Sequence, residues 1–137
     1  MKIGKASRRI LSAAVAGAAI VCGTLLTTAP EASAVTWKYT MHTDDGDPGA
    51  VIKFQPSGDY VQVCDIEADG KGAFGVVYLN GDPYYNLIAG GKGNCATTNA
   101  NYHNLPEYKT IAFKICLSGY STTSGLKYCD SAAWYNG

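Results

Sequence analysis

Four cysteines, Cys64, Cys95, Cys116 and Cys129, constrain this chain more than any other feature. No two of them stand at C-x-x-C distance, and the two histidines, His42 and His103, stand apart from them, so the spacing is wrong for a zinc site. An even cysteine count in a short exported chain reads instead as two disulfides, because oxidising compartments preserve such bridges and a small core gains from them. That reading depends on export, and the amino end supplies the argument for it.

Lys2, Lys5, Arg8 and Arg9 make the first nine residues basic, and from Ile10 to Pro30 there is no charged side chain. A basic segment, an apolar helical segment and then Ala32-Ser33-Ala34 form the pattern of a secretory signal with an A-x-A cleavage box. We therefore expect residues 1–34 to be removed and residues 35–137 to be secreted as one domain without a stable membrane anchor. The uncharged stretch is long enough to span a bilayer, but its Thr, Gly and Pro content and the cleavage box favour removal. Val21 stands where a lipobox needs a small residue, so Cys22 reads as an apolar filler of the discarded segment. Ser7-Arg8-Arg9-Ile10-Leu11 resembles part of a twin-arginine signal, and the export route stays open between the two systems.

Processing after Ala34 leaves seven lysines, no arginine and ten acids, a net charge of −3. Phosphate backbones need clustered cations, so nucleic acid is excluded as the expected partner. All ten tyrosines, both tryptophans and all three phenylalanines lie in the same part, together with 13 glycines and many Thr, Ser and Asn. That is the usage of strands and tight turns, and no stretch carries the 3.6-residue apolar period of a helix over three turns.

The expected class is all-β: a two-sheet antiparallel sandwich of about seven short strands with turns every 8 to 12 residues. The strands are expected at 35–42, 50–55, 60–66, 73–80, 84–89, 108–117 and 126–132, with a long polar loop over 90–107. Side-chain phase then suggests the disulfide pairing. Ile111, Phe113, Ile115 and Leu117 alternate and face the core, which leaves Cys116 on the outer phase with Lys114. Leu126 and Tyr128 share one phase of the last strand and leave Cys129 with Lys127 on the other, so Cys116 and Cys129 pair across a hairpin. Val61 and Val63 point inward and put Cys64 outside, where it ties down the long loop through Cys95.

A reactive site is harder to find. With four cysteines bridged there is no thiol nucleophile, no G-x-S-x-G is present, and His42 and His103 fall in or beside turns. Asp65-Ile66-Glu67-Ala68-Asp69-Gly70 starts like a calcium loop, but Val76 stands where the twelfth-position Glu belongs; a plain hairpin turn explains it. Asp44-Asp45-Gly46-Asp47 reads as a solvated turn. No metal, cofactor or catalytic residue is expected. Aromatic side chains are the remaining handle, since exposed rings stack on sugars or anchor protein partners. Trp37, Tyr39, Tyr84 and Tyr102 are the candidate binding residues, with Tyr84 and Tyr85, as neighbours in a strand, expected on opposite faces; Tyr120, Trp134 and Tyr135 are further aromatics of the loops and carboxyl end.

The segment Val61-Gln62-Val63-Cys64-Asp65-Ile66-Glu67-Ala68-Asp69-Gly70 after the Gly58-Asp59 turn, with Phe113-Lys114-Ile115-Cys116 and with Cys129 near Trp134, resembles a group of small exported actinobacterial proteins. They carry a V-C-D-x-x-A-D-G segment, and the resemblance spans most of residues 49–134. It implies a secreted disulfide-bonded domain and assigns no functional residue. Trp37-Lys38-Tyr39 also resembles the Trp-Arg-Tyr turn of tendamistat-type α-amylase inhibitors, which are two-disulfide β-sandwiches. Lys replaces Arg here, no cysteine precedes the triplet, and the two cations are not interchangeable at such contacts. The expected function is that of a secreted, non-enzymatic module binding an extracellular protein or polysaccharide, with an enzyme inhibitor second and a small hydrolase third.

Overall fold

In the computed structural model, residues 34–119 and 123–137 are described. Residues 1–33 of the expected export signal, with Cys22, and Tyr120 lie outside them. The described residues contain eight strands and no helix: β1 (Tyr39–His42), β2 (Ala50–Gln55), β3 (Tyr60–Asp65), β4 (Lys71–Leu79), β5 (Asp82–Gly90), β6 (Cys95–Thr98), β7 (Lys109–Gly119) and β8 (Lys127–Asn136). They form two antiparallel four-stranded sheets, β1-β2-β3-β6 and β5-β4-β7-β8.

Local chemistry explains several joints. β4 and β5 are joined by Asn80 and Gly81 at φ 54° and 90°. Two left-handed residues in a two-residue loop match the twist of the strands they join, and Asn-Gly is the pair that adopts them most readily. The four-residue turn between β2 and β3 ends on Asp59, at φ 51° and 1 % exposed. Its carboxylate accepts from the amide of Leu105 at 2.9 Å and from Asn136 Nδ2 at 3.0 Å. One buried acid thus ties the β2–β3 hairpin to the loop after β6 and to the end of β8.

The core lies between the sheets. Ile52, Phe54, Val61 and Val63 of the first sheet meet Val77, Ile111, Phe113, Ile115 and Leu117 of the second, and Leu105 closes one end. Phe54 packs against Phe113 at 4.8 Å between centroids with the rings tilted, and Trp134 lies 4.8 Å from Phe113. The sheets approach closely at Gly75, where a Cβ would run into Val63 Cγ2 and lie 3.2 Å from Ile52 Cδ1.

Both expected disulfides are present: Cys64–Cys95 joins β3 to β6, and Cys116–Cys129 joins β7 to β8. The strand inventory differs most from the expectation in three places, the other strand ends lying within two residues of those expected. β6 stands inside the stretch read as a loop, since four residues of sequence CATT carry too little apolar alternation to signal a strand. β1 starts at Tyr39 rather than Val35, and β8 runs on to Asn136 rather than ending at Ala132. The phase of β8 also departs from simple alternation. Tyr128 and Cys129 both stand opposite Cys116, between the pairs Ile115↔Asp130 and Leu117↔Lys127, and Tyr128 takes φ 51° to make that bulge. Lys127 is therefore in register with a core residue, while Cys129 reaches the outer phase.

Candidate functional site

The four aromatics singled out from sequence occupy different environments. Tyr39 is half-buried and stacks on Trp134 at 5.3 Å and on Phe54 at 6.0 Å, so its ring completes the core at the β1 edge. Trp37, just before β1, is half-buried with the Lys53 ammonium 6.0 Å from its ring. Lys38 donates to the Gly137 carbonyl at 3.2 Å. Tyr102 is 79 % exposed in the turn after β6, and Tyr84 is 45 % exposed on β5. β5 packs near β3 and β6, whereas β1 packs near β8, so the Tyr84 and Tyr102 side of the molecule is remote from Trp37 and Tyr39.

Tyr84 and Tyr85 do not point to opposite faces. A register shift in the β4–β5 ladder at Val77/Tyr78 leaves Tyr84 as an extra residue, and the two rings stand 5.3 Å apart, edge to face. Both reach His103, Tyr85 stacking on the imidazole at 4.1 Å and Tyr84 meeting its edge at 6.0 Å. His103 Nδ1 is hydrogen-bonded to the Thr98 hydroxyl at 2.9 Å. The histidine is thus a half-buried strut for the loop after β6. Burial, then the nearby Asp59 carboxylate, then Tyr84 push the Tyr85 phenol well above the ordinary tyrosine range, and its hydroxyl has no hydrogen-bond partner among the described residues.

The acidic turns hold backbone. Asp65 accepts from the amides of Gly91 at 2.7 Å and Glu67 at 3.3 Å, and Asp45 accepts from the amide of Gly49 at 3.2 Å. Among the described residues no three His, Cys, Asp or Glu side chains gather as a metal site would require.

The feature that sequence reading missed is the outer side of the second sheet. Alternation from Ala73 and Val77, which face the core, sends Phe74, Val76 and Tyr78 of β4 outward. Registered with them are Ile88, Asn86 and Pro83 of β5, then Cys116, Lys114 and Ala112 of β7, then Ser131 and Ala133 of β8. Phe74 and Val76 are only 9 % and 6 % exposed although no described strand forms a second layer on that side; Phe74 is flanked in register by Ile88 and Cys116, and Val76 by Asn86 and Lys114. A groove of about 360 Å³ runs over Phe74, Val76, Tyr78, Pro83, Tyr84, Tyr85 and Asn86. Its floor is apolar, its rim carries phenols and an amide, and Tyr84 is the one residue of the expected set that lines it.

The distribution of size along β4 makes this arrangement informative. The inward positions include Ala73 and Gly75, while the outward ones are Phe74, Val76 and Tyr78. A slip by one residue would exchange the two faces of the strand. Ile52 and Val63 fill the space over Gly75 and forbid that exchange, so the large apolar residues stay outside. The signal available in sequence was the run Ala73–Leu79, which is apolar at both phases and not at one, the mark of a strand covered on two sides. No family model, no curated protein and no solved structure matches the chain.

Proposed function

We propose that this protein is a non-enzymatic, extracellular binding module, and that it holds a protein partner on the outer side of its second sheet. The observation that carries this reading is the placement of Phe74, Val76 and Tyr78 outward on β4, whose inward positions include the small residues Ala73 and Gly75 beside Val77. An apolar floor ringed by tyrosines, with little charge, has the composition of the centre of a protein interface. Sugar polymers ask for many hydrogen bonds, and this side offers few polar groups, among them Asn86, Ser131 and Thr110. Two disulfides in a small all-β domain are compatible with work outside the cell.

The test uses matched variants. The protein, immobilised with its disulfides intact, is exposed to the secreted protein fraction of the producing cells and to insoluble wall polymer or chitin. We expect a protein to be retained, retention to be lost with Val76→Asp, and retention to survive Gln62→Asp on the other sheet. Equal retention by both variants, or binding to polymer alone, would overturn the reading. Inhibition of amylases or proteases that disappears with Trp37→Ala would instead favour the inhibitor alternative.

A further inference from the structure

Lys114 lies in the middle of this same side, on β7, in register with Val76 on β4 and Ser131 on β8. It is half-buried and is the only charged residue among those registered with Phe74, Val76 and Tyr78 on that side. It takes part in no ion pair, hydrogen bond or ring contact among the described residues; the salt bridge found there joins Lys71 to Asp69. The rest of the domain is acidic, with ten acids against seven lysines after Ala34, so the lack of a partner does not come from a shortage of carboxylates.

An ammonium is strongly hydrated, and a purely apolar partner laid over it would strip that water without replacing it. A second copy of this chain meets a related difficulty, because a self-complementary contact centred here brings one Lys114 towards the other. The geometry points to a more definite occupant: a protein segment that seats an apolar side chain over Phe74 and Val76 and sets an aspartate or glutamate against Lys114. This inference rests on the proposed protein-binding role of the face and adds the partner's chemistry. Apolar contact supplies adhesion, and the carboxylate supplies orientation and selectivity.

A phage-displayed library of random peptides, selected on the disulfide-bonded protein, tests both levels separately. The wild type is expected to enrich peptides with an acid beside an aliphatic or aromatic residue. Lys114→Glu is expected to shift enrichment to Lys or Arg at the same place. Lys114→Gln, which preserves size and polarity, is expected to bind a selected acidic peptide about tenfold more weakly, with the difference shrinking as salt rises. Enriched peptides that are apolar without an acid, bind Lys114→Glu as tightly as wild type and are lost with Tyr78→Ser would sink this inference and leave the binding face standing. Absence of any enrichment on the wild type over Tyr78→Ser would remove the proposed function and the inference with it.

Discussion

The outer sides of the two sheets share a plan and differ in chemistry. Each is crossed by one disulfide, Cys64–Cys95 between neighbouring strands of the first sheet and Cys116–Cys129 between neighbouring strands of the second. Around the first bridge the outward positions are Thr40, Lys53, Gln62 and Thr97, with His42 and Val51 beside them. Gln62 Nε2 donates to the Thr97 hydroxyl at 3.0 Å, Lys53 lies by the Trp37 ring, and Thr40 and His42 are exposed. Around the second bridge stand Phe74, Val76, Tyr78 and Ile88 with Lys114 alone charged. A sandwich needs only its inner faces to be apolar, so the first sheet has what folding requires and the second has something beyond it. The excess marks the second side as the place to look for function.

The comparison can be broken most severely at the bridges. Replacing both members of Cys64–Cys95 by Ser is expected to destabilise by about 3 to 4 kcal/mol, and of Cys116–Cys129 by about 3 kcal/mol, since the spans closed are 31 and 13 residues. Urea unfolding of the two variants checks this; a loss confined to one of them would show that the two sides are not stapled alike. Next in size is Val76→Asp, expected to cost about 2 to 3 kcal/mol because it sets a carboxylate among Phe74, Tyr78 and Ile88. Its counterpart Gln62→Asp should stay within about 0.5 kcal/mol. Equal effects in chemical denaturation would mean that the two outer sides are equivalent. Gly75→Ala turns the same question inward: it should cost about 1 to 3 kcal/mol by overpacking against Val63 and Ile52, and a neutral result by thermal melting would mean that the inward positions of β4 could have held large side chains.

Class, architecture and disulfide pairing were legible because they follow from alternation, which has one period and two faces. Val61 and Val63 put Cys64 outside, and Ile115 and Leu117 put Cys116 outside. What escaped was whatever interrupts that period. The bulge opposite Cys116 changes the phase of Lys127 while still delivering Cys129 to its partner, and the bulge at Tyr84 turns two neighbours expected on opposite sides towards one histidine. β6 escaped because it is held by pairing with β3 and by Cys95, both contacts distant in sequence. The candidate face escaped for a different reason. Attention to aromatics ranked Trp37 and Tyr39 beside Tyr84, but exposure depends on which strand lies at which edge, and Tyr39 is closed in by Phe54 and Trp134. The apolar run Ala73–Leu79 was in view all along and needed only the question of which phase faces the core.

The smallest expected effect at neutral pH belongs to the rim where the two sheets meet, and it separates two tyrosines of one bulge. Tyr84 is 45 % exposed, whereas Tyr85 is stacked on His103 with its hydroxyl enclosed. The Tyr85 phenol is raised, first by desolvation, then by Asp59 and Tyr84. A raised acid is protonated in the folded protein at pH values where the unfolded chain has already lost its proton. Stability is therefore independent of this group below a pH of about 10, the unfolded tyrosine value, and declines above it by about 1.4 kcal/mol per pH unit until the folded phenol ionises. Tyr85→Phe removes that single decline and, with no protein hydrogen bond to lose, leaves stability at neutral pH nearly unchanged. Urea midpoints for wild type and Tyr85→Phe should coincide at neutral pH and separate in favour of the variant as pH rises past 10. Coincidence throughout the alkaline range would show that solvent reaches Tyr85 as freely as Tyr84, and that the second sheet is open at this edge on both its sides.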